Sequence, residues 1–195
     1  MVRIFNLIGI WSSGILSFIS TRYMILHLLL LNISFGKKIR FFGRAKFVRS
    51  GSSRITIGDN CSFRSKPTSN LIGINRPCII TATGRKSIIR IGDNCGFSGT
   101  VIGCFKEIII GNNVLCGANT LITDSDWHGK DPRSGENKAV FIGNNVWLGE
   151  GVKVLKGVAI GENSVIGAGS IVVKNIPPNV IAAGNPCRVI RQLNQ

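Results

Sequence analysis

The stretch IGNNVWLGEGVKVLKGVAIGENSVIGAGSIVVKNIP, residues 142–177, repeats itself every six residues. Ile142, Leu148, Val154, Ile160, Ile166 and Val172 stand six apart, and glycine follows four of them, at Gly143, Gly149, Gly161 and Gly167. That period belongs neither to an ordinary helix nor to a half-buried strand. It predicts a coil of very short strands, each hexad giving one strand and one bend. The first position points inward and is apolar, and the glycine after it lets the backbone turn where a side chain would clash. The fifth position must fit a tight interior, and it holds Val146, Val152, Val158, Ser164 and Ser170. Three hexads, about 18 residues, close one turn, and successive turns stack as parallel strands around a narrow core.

Working outward, the same signal appears earlier in the chain with interruptions. Ile57-Gly58-Asp59-Asn60, Ile91-Gly92-Asp93-Asn94, Ile110-Gly111-Asn112-Asn113 and Ile160-Gly161-Glu162-Asn163 all match Ile142-Gly143-Asn144-Asn145. These IGxN units lie 34, 19, 32 and 18 residues apart, which fits one or two coil turns with an extra residue or a protruding loop. A β-sandwich would show alternating strands and tight hairpin turns instead, and those signals are weak here.

Residues from about 50 to 192 resemble the hexapeptide-repeat acyltransferases. The resemblance is carried by residues 142–170 and by GAGSIVVKNIPPNVIAAGNPCRVIR, residues 167–191, which is similar to the sugar O-acetyltransferase branch. It implies an all-β fold, the left-handed parallel β-helix. The hand comes with the resemblance, since general chain chirality argues against it. The expected organisation is an apolar, basic and helical extension over 1–49, then the β-helix over 50–195 with a catalytic loop at about 123–139.

The 195 residues suit one main domain. The net charge of +15 implies an anionic partner. No nucleic-acid motif accompanies it, so a phosphorylated cofactor or an acidic membrane surface is the expected match. The six cysteines include no C-x-x-C pair and read as buried thiols of a reducing compartment. The first 50 residues hold eight basic residues and no acid, with apolar stretches at 4–19 and 24–35. Neither reaches the ~20 residues of a comfortable span. Three readings stand: an interfacial anchor on anionic lipid, a helix packed on the column or on a neighbouring subunit, and a signal peptide without a clear cleavage site. The first implies a cytoplasmic protein, peripheral at the inner face of the membrane.

Of two histidines, His27 lies in an apolar run, and His128 lies in TDSDWHGKDPRSGENK, residues 123–138, a polar stretch between hexads. A loop leaving a rigid stack commonly carries function. His128 matches the position of the family's catalytic histidine. A sugar hydroxyl needs a base to attack a thioester, and imidazole has a suited intrinsic pKa. Asp126 and Asp124 are candidates for orienting that ring or binding acceptor hydroxyls. The resemblance places the oxyanion donor at the backbone of Gly149 or Glu150, and Trp147 beside the donor arm and the acceptor. It implies acetyl-CoA as donor between two subunits of a homotrimer. Lys156, Lys174, Arg188 and Arg191 are candidates for its phosphates, and Gly167 and Ala168 leave room for its arm. Relatives that bind the acceptor through an asparagine have it where this chain has Ser98 and Thr100, so hydroxyls substitute or the acceptor differs. No metal is implied. A zinc carbonic anhydrase on the same column needs three histidines, and the repeats hold one. The expected activity is O-acetylation of a sugar, nucleotide-sugar or lipid-linked saccharide in capsule, exopolysaccharide or lipopolysaccharide assembly. An amino-sugar N-acetyltransferase and an antibiotic acetyltransferase are the alternatives.

Overall fold

The computed structural model describes residues 17–193. Three parallel sheets form the sides of a prism, and the chain visits them in strict rotation. The first face holds Ser34–Phe35, Arg54–Ile57, Ile88–Ile91, Glu107–Ile110, Val140–Ile142 and Ala159–Ile160. The second holds Arg40–Phe42, Ser62–Arg64, Gly96–Ser98, Leu115–Ala118, Trp147–Leu148, Val165–Ile166, Val180–Ala183 and Arg188–Gln192. The third holds Lys46–Arg49, Ile79–Ala82, Val101–Cys104, Leu121–Thr123, Lys153–Val154 and Ile171–Val172. Every pairing is parallel except the last, Val180–Ala183 with Arg188–Gln192.

The six-residue period is the path around this prism. Ile142, Leu148 and Val154 fill the three walls of one coil, and Ile160, Ile166 and Val172 fill the next, all buried. The fifth-position residues Val146, Val152, Val158, Ser164 and Ser170 are buried at the corners. Lower in the column the second-face wall becomes aromatic: Phe41, Phe63 and Phe97 stack with centroids 5.0 Å apart. Each IGxN unit opens a single coil. The long spacings are single coils too, lengthened by excursions at 65–78 and 124–139. All six cysteines are free and buried.

The motif's glycine and asparagine follow from stacking. The residue after glycine accepts, through its side-chain oxygen, the amide of its counterpart one coil below: Asp59 N–H to Asp93, Asp93 N–H to Asn112, and Asn112 N–H to Asn144, at 2.7–2.8 Å. That oxygen occupies the space a Cβ at Gly58 or Gly92 would need. The asparagines Asn60, Asn94, Asn113, Asn145, Asn163 and Asn179 all turn the corner in the left-handed region, with φ of 56–59°. Asparagine tolerates that region better than other side chains. Their amides form one ladder, each Nδ2 donating to the next Oδ1 at 2.8–3.0 Å.

The boundary expected at 49/50 moves. Ser34–Phe35, Arg40–Phe42 and Lys46–Arg49 pair in register with the coil above and form the first coil. Phe35-Gly36-Lys37-Lys38 is a degenerate IGxN unit there, with Lys38 at φ 54° in the asparagine's place. A helix over 17–30 packs Met24 and Leu28 onto the open end of the column. Its Thr21 hydroxyl accepts the Phe41 amide at 2.9 Å. Arg49 bonds the carbonyls of Leu31 and Asn32 at the helix end, where a cation is favoured. This is the packed-helix reading of the N-terminal segment for residues 17–49; residues 1–16 lie outside the described residues.

Asn113→Gly keeps the corner and forfeits two ladder bonds, each worth about 0.5–1.5 kcal/mol. Asn113→Ala adds about 1 kcal/mol or more for a Cβ in the left-handed region. Thermal midpoints in the order wild type, Gly variant, Ala variant are expected, and equal midpoints would show that the ladder contributes nothing.

Candidate functional site

The excursion at 124–139 leaves the third face after Leu121–Thr123 and returns to the first at Val140–Ile142. Asp124 begins it and is fully buried. Its carboxylate accepts the amides of Phe105, Lys106 and Glu107 at 2.7–2.8 Å, binding the corner of the coil below. The Cys104 thiol also donates to it at 3.3 Å, and burial first and this carboxylate second push that thiol up. Asp124 is therefore a structural residue of the column. Among the described residues it makes no bond to His128, and three converging amides and full burial claim its oxygens.

Trp127 stands next to the histidine and was not singled out by sequence reasoning. Its backbone is left-handed, φ 68°, and its N–H donates to Ser125 Oγ at 3.0 Å. Its Nε1 donates to Thr123 Oγ1 at 3.0 Å, and its ring meets Phe105 edge-on at 5.1 Å. The indole lies over Gly103, where any Cβ would overlap it. The available signal was Gly103 itself, a glycine on an outward strand position in register with Thr123.

His128 is exposed. Its carbonyl accepts the Asp131 amide at 2.8 Å and the Ser134 hydroxyl at 2.6 Å, which coils the excursion tightly around it. Among the described residues, neither expected carboxylate bonds its ring. Asp126 instead accepts the Gly135 amide at 3.0 Å and pairs with Lys156 from the next coil. One carboxylate oxygen thus joins the start of the excursion, its far side and the column. Lys156 first and the Gly135 amide second hold the Asp126 carboxyl below its ordinary range. Both residues depart from expectation: Asp126 does not orient the ring, and Lys156 is spent on Asp126.

The remaining candidates gather on the second face and at the corner leading to the third. Gly149 N–H is spent on the Ile166 carbonyl at 2.8 Å, so it is not an oxyanion donor. The Glu150 N–H lies beside Gly117 and has no acceptor among the described residues, so it is the donor of the two that remains free. Gly167 stacks above Gly149, its own N–H bound to Ala182, and Ala168 is exposed at the same corner. Trp147 is half-exposed and stands beside Leu115 on the second face. Ser98 lines a shallow groove with it, whereas Thr100 is fully buried and its hydroxyl accepts the Ser98 amide at 3.2 Å, which removes it as an acceptor contact. Lys174, Arg188 and Arg191 are exposed, and none has a carboxylate partner among the described residues. His128 lies on the edge between the third and first faces, and Glu150 on the edge between the second and third. Among the described residues, no hydrogen bond or ion pair joins them.

A model for "Bacterial transferase hexapeptide (six repeats)" matches residues 139–174. The galactoside O-acetyltransferase of Escherichia coli K12 is 48% identical over 114 residues, covering 55% of this chain and 56% of that protein. The galactoside O-acetyltransferase of Lactococcus lactis is 53% identical over 143 residues, covering 71% and 63%. The chain thus spans less than two thirds of either relative. Among solved structures, a variant of AntD, an N-acyltransferase from Bacillus cereus in complex with a dTDP-amino-sugar and coenzyme A, superposes with a TM-score of 0.67 at 20% identity, covering 87% of this chain and 89% of that one. That likeness concerns the fold. Repeat, prism and relatives agree: the chain carries the hexapeptide repeat of the bacterial transferases over residues 139–174 and folds as a left-handed parallel β-helix.

Proposed function

We propose that this chain is an acetyl-CoA-dependent O-acetyltransferase acting on a sugar hydroxyl in surface-polysaccharide assembly, with His128 as general base. The observation that carries this is a single solvent-facing histidine held on the excursion at 124–139 of a column whose relatives are sugar O-acetyltransferases. The His128 ring accepts the proton of the attacking hydroxyl as its oxygen bonds to the thioester carbonyl carbon. The Glu150 N–H receives the oxyanion of the tetrahedral intermediate. The carbon–sulfur bond then breaks, and the thiolate takes the proton back from the imidazolium. Lys174, Arg188 and Arg191 offer the cations for the donor's phosphates.

We infer that the working unit is a homotrimer. His128 and Glu150 occupy different edges of one prism, so a neighbouring copy has to bring the second edge to the first. Three copies around one axis do this equivalently.

The N-terminal helix supports a peripheral, cytoplasmic-face location. Its buried side is Met24 and Leu28, and its other side exposes Ile19, Tyr23, Leu26 and Leu30. Arg22 and Arg44 lie against Phe18 and Tyr23, and no acidic residue precedes Asp59. No helix of the described residues is long and apolar enough to cross a membrane. Apolar surface ringed by cations suits the edge of an anionic leaflet.

His128→Ala is expected to lower kcat/KM by roughly 10²–10⁴, read as acceptor-dependent thiol release, while the trimer persists in light scattering. Near-normal turnover would overturn the base, and an active monomer would overturn the shared site.

The Asp126 clasp gives a pH test. A depressed acid contributes order above its unperturbed pKa of about 3.9 and loses it as pH falls through the folded value. Hydrogen exchange across 127–135 is expected to be pH-independent, after correction for intrinsic rates, from neutrality to about pH 5 and to quicken in acid. Asp126→Ala should show the quickened state at every pH.

Deleting the first 36 residues would uncap the column, so the membrane test uses the full chain. Leu26→Gln/Leu30→Gln leaves the buried side intact and is expected to abolish flotation with anionic vesicles at low salt. Equal partition of wild type and variant would remove the lipid reading, and loss of the trimer in the variant would reassign this face to subunit contact.

A further inference from the structure

The second face carries a groove of about 260 Å³. Its walls include Ser62, Arg64, Gly96, Ser98, Leu115 and Trp147. The cavity exists because Gly96 stands in register between Ser62 and Leu115 and brings no side chain. The volume lies below the ~300 Å³ at which drug-sized pockets begin, so it suits one sugar ring and not a longer saccharide. Trp147 supplies a flat apolar wall for the ring, and the two serine hydroxyls supply polar contacts.

The lining lacks what a neutral sugar calls for. Sugar hydroxyls donate to acceptor oxygens, and the strongest of these are carboxylates and amides. Neither group is among the groove's lining residues. A guanidinium stands there instead. Arg64 is held in place: its guanidinium carbon lies over the Phe42 ring, 4.6 Å from the centroid, and one of its N–H groups donates to the Ser69 carbonyl at 2.7 Å. It forms no ion pair, for the carboxylate pairs among the described residues are Arg133–Asp131 and Lys156–Asp126. A fixed cation beside an aromatic wall and two hydroxyls, with no compensating acid, is half of a recognition pair.

We propose that the acceptor is an anionic saccharide, and that Arg64 pairs with a carboxylate or phosphate on the accepting sugar in this groove. The inference rests on the acyltransfer reading and narrows its substrate class. Arg64 is a specificity residue in it and takes no part in bond making.

The test is titration of the full-length protein, without donor, by galactose, galacturonate and galactose 1-phosphate. Wild type is expected to bind at least one anionic sugar about tenfold or more tightly than galactose, the scale of a charge-assisted hydrogen bond. Which anion binds tells a uronate from a phosphate-linked sugar. Arg64→Gln should bind all three alike with an unshifted thermal midpoint. Arg64→Lys, which keeps the charge and loses the fork, should keep a reduced preference. Failure of both anionic sugars to outbind galactose overturns the proposal, as does a preference that survives in Arg64→Gln. Thiol release with the same three sugars separates the two levels. Equal kcat/KM for neutral and anionic acceptors sinks this inference and leaves acyl transfer standing. Absence of thiol release with all three, beside an Arg64-dependent binding preference, sinks acyl transfer and leaves the groove's selectivity standing.

Discussion

An amide ladder sets the register of the column from Asn60 to Asn179. Six asparagines turn the corner between the first and second faces in a conformation that most side chains avoid, and each bonds the next through its side chain. Short strands of two to four residues carry little register information of their own. A slip of one residue would turn the inward row of Ile57, Ile91, Ile110, Ile142 and Ile160 out to solvent. The ladder prevents this at one corner per coil, and everything downstream in that coil inherits the alignment. Both excursions at 65–78 and 124–139 begin from walls fixed in this way, which is why a long insertion leaves the coils around it unchanged.

The charges are divided between two tasks. The chain has nine acidic residues against 24 basic ones, and five of the nine are already committed. Asp59 and Asp93 receive backbone amides in the stack, Asp124 closes the corner at 105–107, and Asp126 and Asp131 hold the excursion around His128. These acids thus serve the fold, while most cations among the described residues face solvent and form no ion pair. The resulting field favours anionic ligands along the whole prism.

Much of this was legible in the sequence because stacking repeats the same demand coil after coil. The inward aliphatic residues, the small corner residues and the glycine of IGxN each recur where the same geometry recurs. Legibility failed where repetition stops. The first coil was missed because Phe35-Gly36-Lys37-Lys38 has no coil beneath it, so its corner residue has no lower amide to bond and need not be asparagine. Within the site, His128 and Trp147 stood out by type and position. Asp124 and Asp126 look alike in a polar run, and only the coordinates separate a carboxylate facing three amides from one facing a lysine thirty residues on. The Gly149 and Glu150 amides are adjacent, and the stacking partner Ile166 decides which is free.

The two ends of the column have a further consequence. A stack of parallel coils presents unpaired backbone groups at each end, a template on which another column could add and grow into a filament. Here the lower end is covered by the helix over 17–30, with Thr21 occupying the Phe41 amide and Arg49 the carbonyls of the turn that follows the helix. The upper end reverses direction: Arg188–Gln192 runs antiparallel to Val180–Ala183, and a parallel coil cannot continue from it on that face. The molecule is thereby a closed length of an otherwise open-ended lattice, its size set by two stops of different construction.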